Sequence, residues 1–270
     1  MAKVSIIVPM YNCEKYVTTM LDCIQKQTFK DFIVYLMDDC STDKTVEKVL
    51  PYLKDPRFRI LNSTYNKGPA SARNRVLDLI ENGEPVPEYI YFCDADDYIV
   101  PSLLDKCVKK LDETKLDIAE FGYKTLDPNG KVTYDNVAPR EQFSRSAETL
   151  WCVWRCLIRY SLIKNNHIRF DERLKWGEDS LFMRECAYFA KDNWHVDIPE
   201  YLYYYKCQNP KSLIVDSYKH NRKVKKLYIK CYEDFIKSHP WNPVLGEMIH
   251  HIDWHKKNKK PQKPPQLNKS

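Results

Sequence analysis

Four short apolar runs near the start of the chain, VSIIVP (4–9), FIVYLM (32–37), FRILN (58–62) and YIYFC (89–93), each give way to a polar cluster. Continuous apolar runs of this length suit strands covered on both faces, which is the condition of a parallel sheet. Val17, Met20, Leu21 and Ile24 recur at helical spacing after the first run, and Asn12 is placed to cap that helix, which reaches about Gln27. Further helices are expected from about Lys44 to Leu53, over 69–82 with Pro69 in the first turn, and from Pro101 to about Asp112. DIAEFGYK (117–124) reads as a fifth strand, turned back by DPNG at 127–130. Such alternation implies βαβ units, so the expected fold class is α/β with a mostly parallel central sheet flanked by helices.

The remainder is less decided. WCVWRCLIRYSLIKNN (151–166) fits strand or helix. A helix is expected from about Glu178 to Lys191, strands near 195–198 and 201–206, and a basic amphipathic helix near 216–238.

Composition narrows the class. A chain of 270 residues can bury a sizeable core. No apolar run approaches the ~20 residues of a membrane span, and no secretion signal precedes the strand that begins at residue 4. The ten cysteines form no CxxC pair, and Cys23, Cys93, Cys107 and Cys186 sit in apolar periodic segments as small hydrophobes. A reducing, cytoplasmic setting is expected. The net charge of +6 resides in residues 255–270, which hold six lysines and no acid. Its Pro, Gln and Asn content favours a solvated tail, and its charge can also draw it to the inner face of an anionic membrane.

The polar residues gather where strands end. Asn12 follows the first strand, Asp38, Asp39, Ser41 and Asp43 the second, NKGPASARN (66–74) the third and DADD (94–97) the fourth. In an open parallel sheet the ligand crevice lies at the carboxyl ends of the strands, so four clusters converge on one place. Neither a Walker A motif nor GxGxxG is present, so phosphate charge needs another partner. Asp94 and Asp96 suit a hard divalent cation, which one or two carboxylates hold while substrate phosphates complete its shell. Asp97 either assists the cation or caps the turn. A carboxylate from the Asp38–Asp39 pair can accept an imide N–H, which uracil has and cytosine lacks. Arg73 either contacts the ligand or pairs with these two carboxylates beneath the sheet. Glu178 and Asp179 stand at a helix start, where the helix dipole alone accounts for negative charge.

Taken together, VSIIVPMYN, DDCSTDKT, NKGPASARN, DADDY and GEDSLF resemble family 2 glycosyltransferases, in order and in spacing, over about residues 3–215. The resemblance implies a GT-A-type, Rossmann-like domain with a C-terminal helical extension. It implies inverting transfer of a sugar (EC 2.4, hexosyltransferase type) from a UDP-sugar to a glycan, polysaccharide or lipid-linked saccharide, with Mn2+ or Mg2+. Pro9, Tyr11 and Asp39 would line the uridine pocket, with Asn12, Asn66 and Arg73 also on the donor side. Asp94 would approach the ribose and share the metal with Asp96. Asp179 would be the general base, with Glu178 beside it. YLYYYKCQNPKSL resembles the segment that closes over the donor, so Lys206 and Ser212 would meet the pyrophosphate. Lys206 stands where the family often has Arg, and offers a point charge instead of a fork. The implied division is a nucleotide-sugar half over 1–125, an acceptor and catalytic half over 126–215, amphipathic helices over 216–254 and the basic tail over 255–270.

Two other readings compete with this one. A metal-dependent sugar nucleotidyltransferase would want a Gly-rich phosphate loop after the first strand, which VPMYNCEKY does not supply. A nucleotide-sugar binder without transfer activity would have no need of Asp94, Asp96 and Asp179 together. His250, His251 and His255 fit a polar helix end better than a zinc site, since nothing nearby completes a tetrahedral set. The aromatic and lysine content of 151–160 and 201–241 suits acceptor walls or core packing, not nucleic-acid binding. The helix near 216–238 either packs on the protein, pairs two subunits or rests on a membrane.

Overall fold

The computed structural model describes residues 2–127, 129–137, 142–144, 152–190, 195–206 and 221–257. The strands are β1 (Val4–Met10), β2 (Phe32–Asp38), β3 (Phe58–Asn62), β4 (Tyr89–Phe92), β5 (Tyr98–Ile99), β6 (Ile118–Leu126), β7 (Val132–Asn136), β8 (Gln142–Ser144), β9 (Cys156–Arg159) and β10 (His195–Lys206). The helices are α1 (Val17–Gln25), α2 (Thr45–Val49), α3 (Pro69–Glu81), α4 (Leu103–Thr114), α5 (Tyr160–Asn165), α6 (Glu178–Phe189), α7 (Asn221–Ser238) and α8 (Pro243–Lys257). The main sheet runs β3-β2-β1-β4-β9-β6-β10-β5. β3, β2, β1, β4, β6 and β10 point one way, and only β9 and β5 on this path run against them.

The alternation of side chains sorts the apolar runs into two cores. Ile7, Tyr35, Ile90 and Phe92 face α3, α6 and α7 on one side of the sheet. Ile6, Val8, Val34, Leu36, Tyr89 and Tyr91 face α1 and α4 on the other. Each such side chain contributes about 1.5–3 kcal/mol by leaving water, so both faces of the sheet must be covered for the fold to hold. Pro9 is tolerated in a central strand because β4 pairs β1 only through Ile7, so no neighbour on that side requires its missing N–H.

Several expected boundaries move, each for a local reason. The first helix starts at Val17, with Tyr16 at its N-cap, so Asn12 does not cap it. Asn12 instead adopts φ 48° and reaches across to the loop after β2. The helix expected to Leu53 ends at Val49 and tightens into a 3-10 turn over Leu50–Lys54, because Pro51 cannot continue the ladder. The undecided 151–166 segment resolves, over its described part, into a 3-10 turn at Val153–Arg155, then β9, then α5. The two strands expected over 195–206 are one, β10. Its pairing with β6 slips between Ile198 and Tyr201, where Pro199 cannot donate to the ladder.

Candidate active site

The register β1–β2 (Met10 opposite Asp38) and β1–β4 (Ile7 opposite Phe92) brings the carboxyl ends of these strands side by side. Short polar loops leave those ends and are tied to one another. Asn12 Oδ1 accepts the backbone N–H of Thr42 at 2.8 Å and of Asp43 at 3.3 Å, and its own N–H donates to Ser41 Oγ at 3.0 Å. Tyr11, just before it, is half exposed. Asp39 is buried and accepts the N–H groups of Lys67 and Gly68, the latter at 2.6 Å. Gly68 takes φ +96°, which only glycine adopts readily, and so lets two successive N–H groups converge on one carboxylate. Asn66 is exposed on the same loop. Asp38 accepts the Ser41 N–H through Oδ2, while its Oδ1 is buried with no hydrogen-bond partner among the described residues.

Across the DADD turn, exposure alternates. Asp94 and Asp96 are partly open to solvent, whereas Ala95 and Asp97 are buried. Asp97 accepts Tyr203 Oη–H at 2.5 Å and the Lys206 N–H at 2.7 Å, clamping the turn to the end of β10. Burial first, and then the charges of Asp96 and Asp94, hold its carboxyl well above the usual range. Of the two sequence readings, Asp97 fits the structural one.

Arg73 is the hub of the site. Its Nη1 donates to Glu178 Oε1 at 3.0 Å and its Nη2 to Asp94 Oδ1 at 2.9 Å. Of the two readings left open for Arg73, the pairing with Asp38 and Asp39 is not found; its partners are Glu178 and Asp94. α3 carries the guanidinium toward β4 and α6, while Asp39 is taken up by loop N–H groups. The reason α6 lies so near is aromatic packing: Phe182 stacks on Phe170 with centroids 4.0 Å apart, and both set their edges against Phe92 of β4. Asn74 fixes that layer by exchanging two hydrogen bonds with the Phe170 backbone.

Asp179 is the second residue of α6 and accepts the Ser180 N–H at 2.8 Å. Burial, together with the Glu178 and Asp94 charges, pushes its carboxyl up to about 8 against the opposing pull of Arg73. Gly177, at φ +75°, sets the entry to this helix, and the Tyr228 ring of α7 lies 2.5 Å from where a Cβ would stand. A hydrogen-bonded chain then runs from α8 to α6, through His251–Tyr228 at 2.7 Å, Tyr228–Tyr232 at 3.1 Å and Tyr232–Ser180 at 3.0 Å. Arg184 joins it by donating to Ser180 Oγ at 2.8 Å.

His251 is therefore not part of a polar helix end. It is buried against Tyr228, and that burial lowers its imidazole to about 3. Cys152 is a neighbour the sequence did not signal. Burial and the Asp179 charge raise its thiol well above its ordinary range. Lys206 rests its ammonium 4.1 Å from the Tyr98 ring centroid, beside an open cavity of about 560 Å³ that none of the site carboxylates line. Ser212, the rest of the expected donor-closing segment and the tail beyond Lys257 lie outside the described residues.

Asp94 and Asp96 suit a hard cation. Both are oxygen donors partly open to solvent, with no thiolate or imidazole in the set. A second group of metal-ligand type, Glu120, His195 and Asp197, lies buried on β6 and β10, well back from the strand ends. Arg155 already places a guanidinium 2.8 Å from Glu120, so a metal there would meet a like charge.

The model for the family described as glycosyl transferase family 2 matches residues 5–160, more than half of the chain. The chain belongs to glycosyl transferase family 2. Among its curated relatives is the uncharacterized glycosyltransferase EpsJ of Bacillus subtilis, 30% identical over 229 residues, which are 80% of this chain and 64% of that one. Another is the poly(ribitol-phosphate) beta-N-acetylglucosaminyltransferase TarS of Staphylococcus aureus, 33% identical over 210 residues, 76% of this chain and 35% of that one. The chain thus spans less than two thirds of the length of either. The crystal structure of S. aureus TarS 1–349 in complex with UDP-GlcNAc superposes with a TM-score of 0.75 at 26% identity, covering 95% of this chain and 74% of that one. The fold is of the GT-A kind. The family match ends at residue 160, so α6 with Glu178 and Asp179 lies beyond it.

Proposed function

We propose that the chain transfers a sugar, with inversion, from a UDP-sugar to a saccharide hydroxyl, with Asp179 as general base. The observation that carries this reading is the Arg73 bridge. One buried guanidinium holds Asp94 of the DADD turn and Glu178 of the α6 start, so the carboxylates suited to a diphosphate-bound cation and those suited to an acceptor share one anchor. That relatives are named glycosyltransferases and that TarS binds UDP-GlcNAc support the same reading.

Each group then has a role its environment favours. Tyr11 offers an exposed ring beside Pro9 for the base, and Asp39 keeps lone pairs beyond those taken by Lys67 and Gly68. The unsatisfied Asp38 oxygen at the same strand end is a further acceptor. Asn12 and Asn66 belong to the loops that border this donor side. Asp96, with Asp94, would hold Mn2+ or Mg2+, which when bound supplies charge neutralisation for the departing diphosphate. Asp94, held by Arg73, would approach the ribose. Lys206 would leave Tyr98 and, with Ser212, meet the pyrophosphate when donor binds.

Asp179 takes the proton of the acceptor hydroxyl, whose oxygen attacks the anomeric carbon as the bond to the diphosphate breaks on the opposite face. A raised carboxyl suits this work, because a base is most effective with a pKa near the working pH. Glu178, beside Asp179, is held by Arg73 as an ion pair.

A panel of UDP- and GDP-sugars with Mn2+, scored for nucleoside diphosphate release with and without EDTA, tests the reading. Metal-dependent UDP release that a saccharide acceptor accelerates is expected. Absence of metal-dependent release from every donor, across an acceptor library, would overturn it.

A further inference from the structure

The C-terminal helix pair carries a surface that the transfer chemistry does not use. α8 buries Val244, Leu245, Met248, His251 and Ile252 against the protein. Its opposite face sets exposed apolar side chains among His250, Asp253 and Lys257. Trp241 is 71% exposed and lies over Gly246, Trp254 is 41% exposed and Ile249 36%. At 100° per residue, positions 246, 249, 250, 253, 254 and 257 fall on one side of the helix, so the two tryptophans and Ile249 share that side with Lys257.

α7 packs in the same way, through Tyr228, Cys231, Tyr232 and Phe235, and turns Lys223, Lys226, Lys230 and Lys237 outward along a single stripe. The Lys256–Glu233 ion pair, 2.9 Å, spans from α8 to α7, so the lysine stripe borders the tryptophan face. The chain continues past Lys257 for residues 258–270, which hold four lysines and no acid.

We infer that this face is a membrane-contact surface that seats the enzyme on an anionic bilayer. Exposed indole rings beside a lysine row match the headgroup region, where tryptophan sits with its ring in the acyl boundary and lysine reaches the phosphates. A protein partner fits less well, because lysine is depleted in protein–protein interfaces. None of the described helices is long and apolar enough to cross a membrane, so the contact is peripheral. Of the acids on the two helices, Glu233 and Asp253 lie within ion-pair distance of Lys256 and Asp234 of Arg173, which leaves Lys223, Lys226, Lys230 and Lys237 as the row facing outward. This inference does not depend on the donor or on the role of Asp179.

Flotation of the full chain with vesicles of phosphatidylcholine, alone or mixed with phosphatidylglycerol, tests it. The chain is expected to float with the mixed vesicles and to be released by salt. Trp241→Ala with Trp254→Ala should abolish flotation, and Lys226→Glu with Lys230→Glu should weaken partitioning by about tenfold or more. Circular dichroism should be unchanged in both variants. Failure of the wild-type chain to float with either vesicle would overturn the inference. So would flotation that neither pair of substitutions alters, or sedimentation velocity showing that the tryptophan pair converts a dimer to a monomer.

Discussion

The donor side of the cleft and the base side are fixed in different ways. On the donor side, Asp38, Asp39 and Asn12 accept backbone N–H groups from neighbouring loops, so each carboxylate or amide is held by short polar turns that follow a strand. On the base side, Asp179 takes only the N–H of Ser180 from the backbone. Its position comes from Arg73, from the Phe92–Phe170–Phe182 stack and from Tyr228 over Gly177. The first arrangement is made from loop to loop through backbone N–H groups. The second is tertiary, and its parts come from α3, β4, α6 and α7.

The largest effect is expected on the donor side. Asp96→Ala removes a carboxylate ligand of the cation, and metal-dependent UDP release should fall on the order of 10³-fold. A variant retaining wild-type metal dependence would contradict that assignment.

Arg73→Met probes the bridge between the two sides. It leaves Glu178 and Asp94 facing each other without their cation, and should lower unfolding stability by about 3 kcal/mol in urea titrations. A change below 1 kcal/mol would mean, roughly, that the two sides are not coupled through this residue.

A pH–rate profile sharpens the comparison. With its carboxyl raised to about 8, Asp179 is mostly protonated below that pH and cannot accept a proton. The rate should climb with pH, by up to about tenfold per unit, and level off above the midpoint. A cation near Asp94 draws that midpoint down, so the limb should move toward lower pH as Mn2+ saturates. Tyr203→Phe should have the smallest effect. It takes one donor from buried Asp97 and should cost about 1–3 kcal/mol in thermal or urea unfolding, with the Lys206 N–H still in place.

The same contrast explains what the amino-acid sequence made legible. The four apolar runs became β1 to β4 because strands buried on both faces need no alternation, and DADD stood out because nothing local requires three acids there. Asp94 and Asp96 came out partly open and Asp97 buried, in the alternation that the pleat imposes. Local rules misplaced Asn12, since a residue good at helix capping is equally good at bridging two loops from a left-handed backbone. The Arg73 partners were out of reach. Glu178 lies 105 residues away, and only the packing of Phe170 and Phe182 on Phe92 brings it near. His251 looked polar for the same reason, because its burial depends on Tyr228 and Tyr232 of another helix.

The division of labour between the two sides is tested most directly by Asp179→Asn, with UDP affinity and sugar turnover measured on the same preparation in Mn2+. If the donor side binds nucleotide and the base side only takes the acceptor proton, UDP affinity should match wild type while turnover falls on the order of 10²–10⁴-fold. Turnover at the wild-type rate, or equal losses in binding and turnover, would contradict the assignment of Asp179.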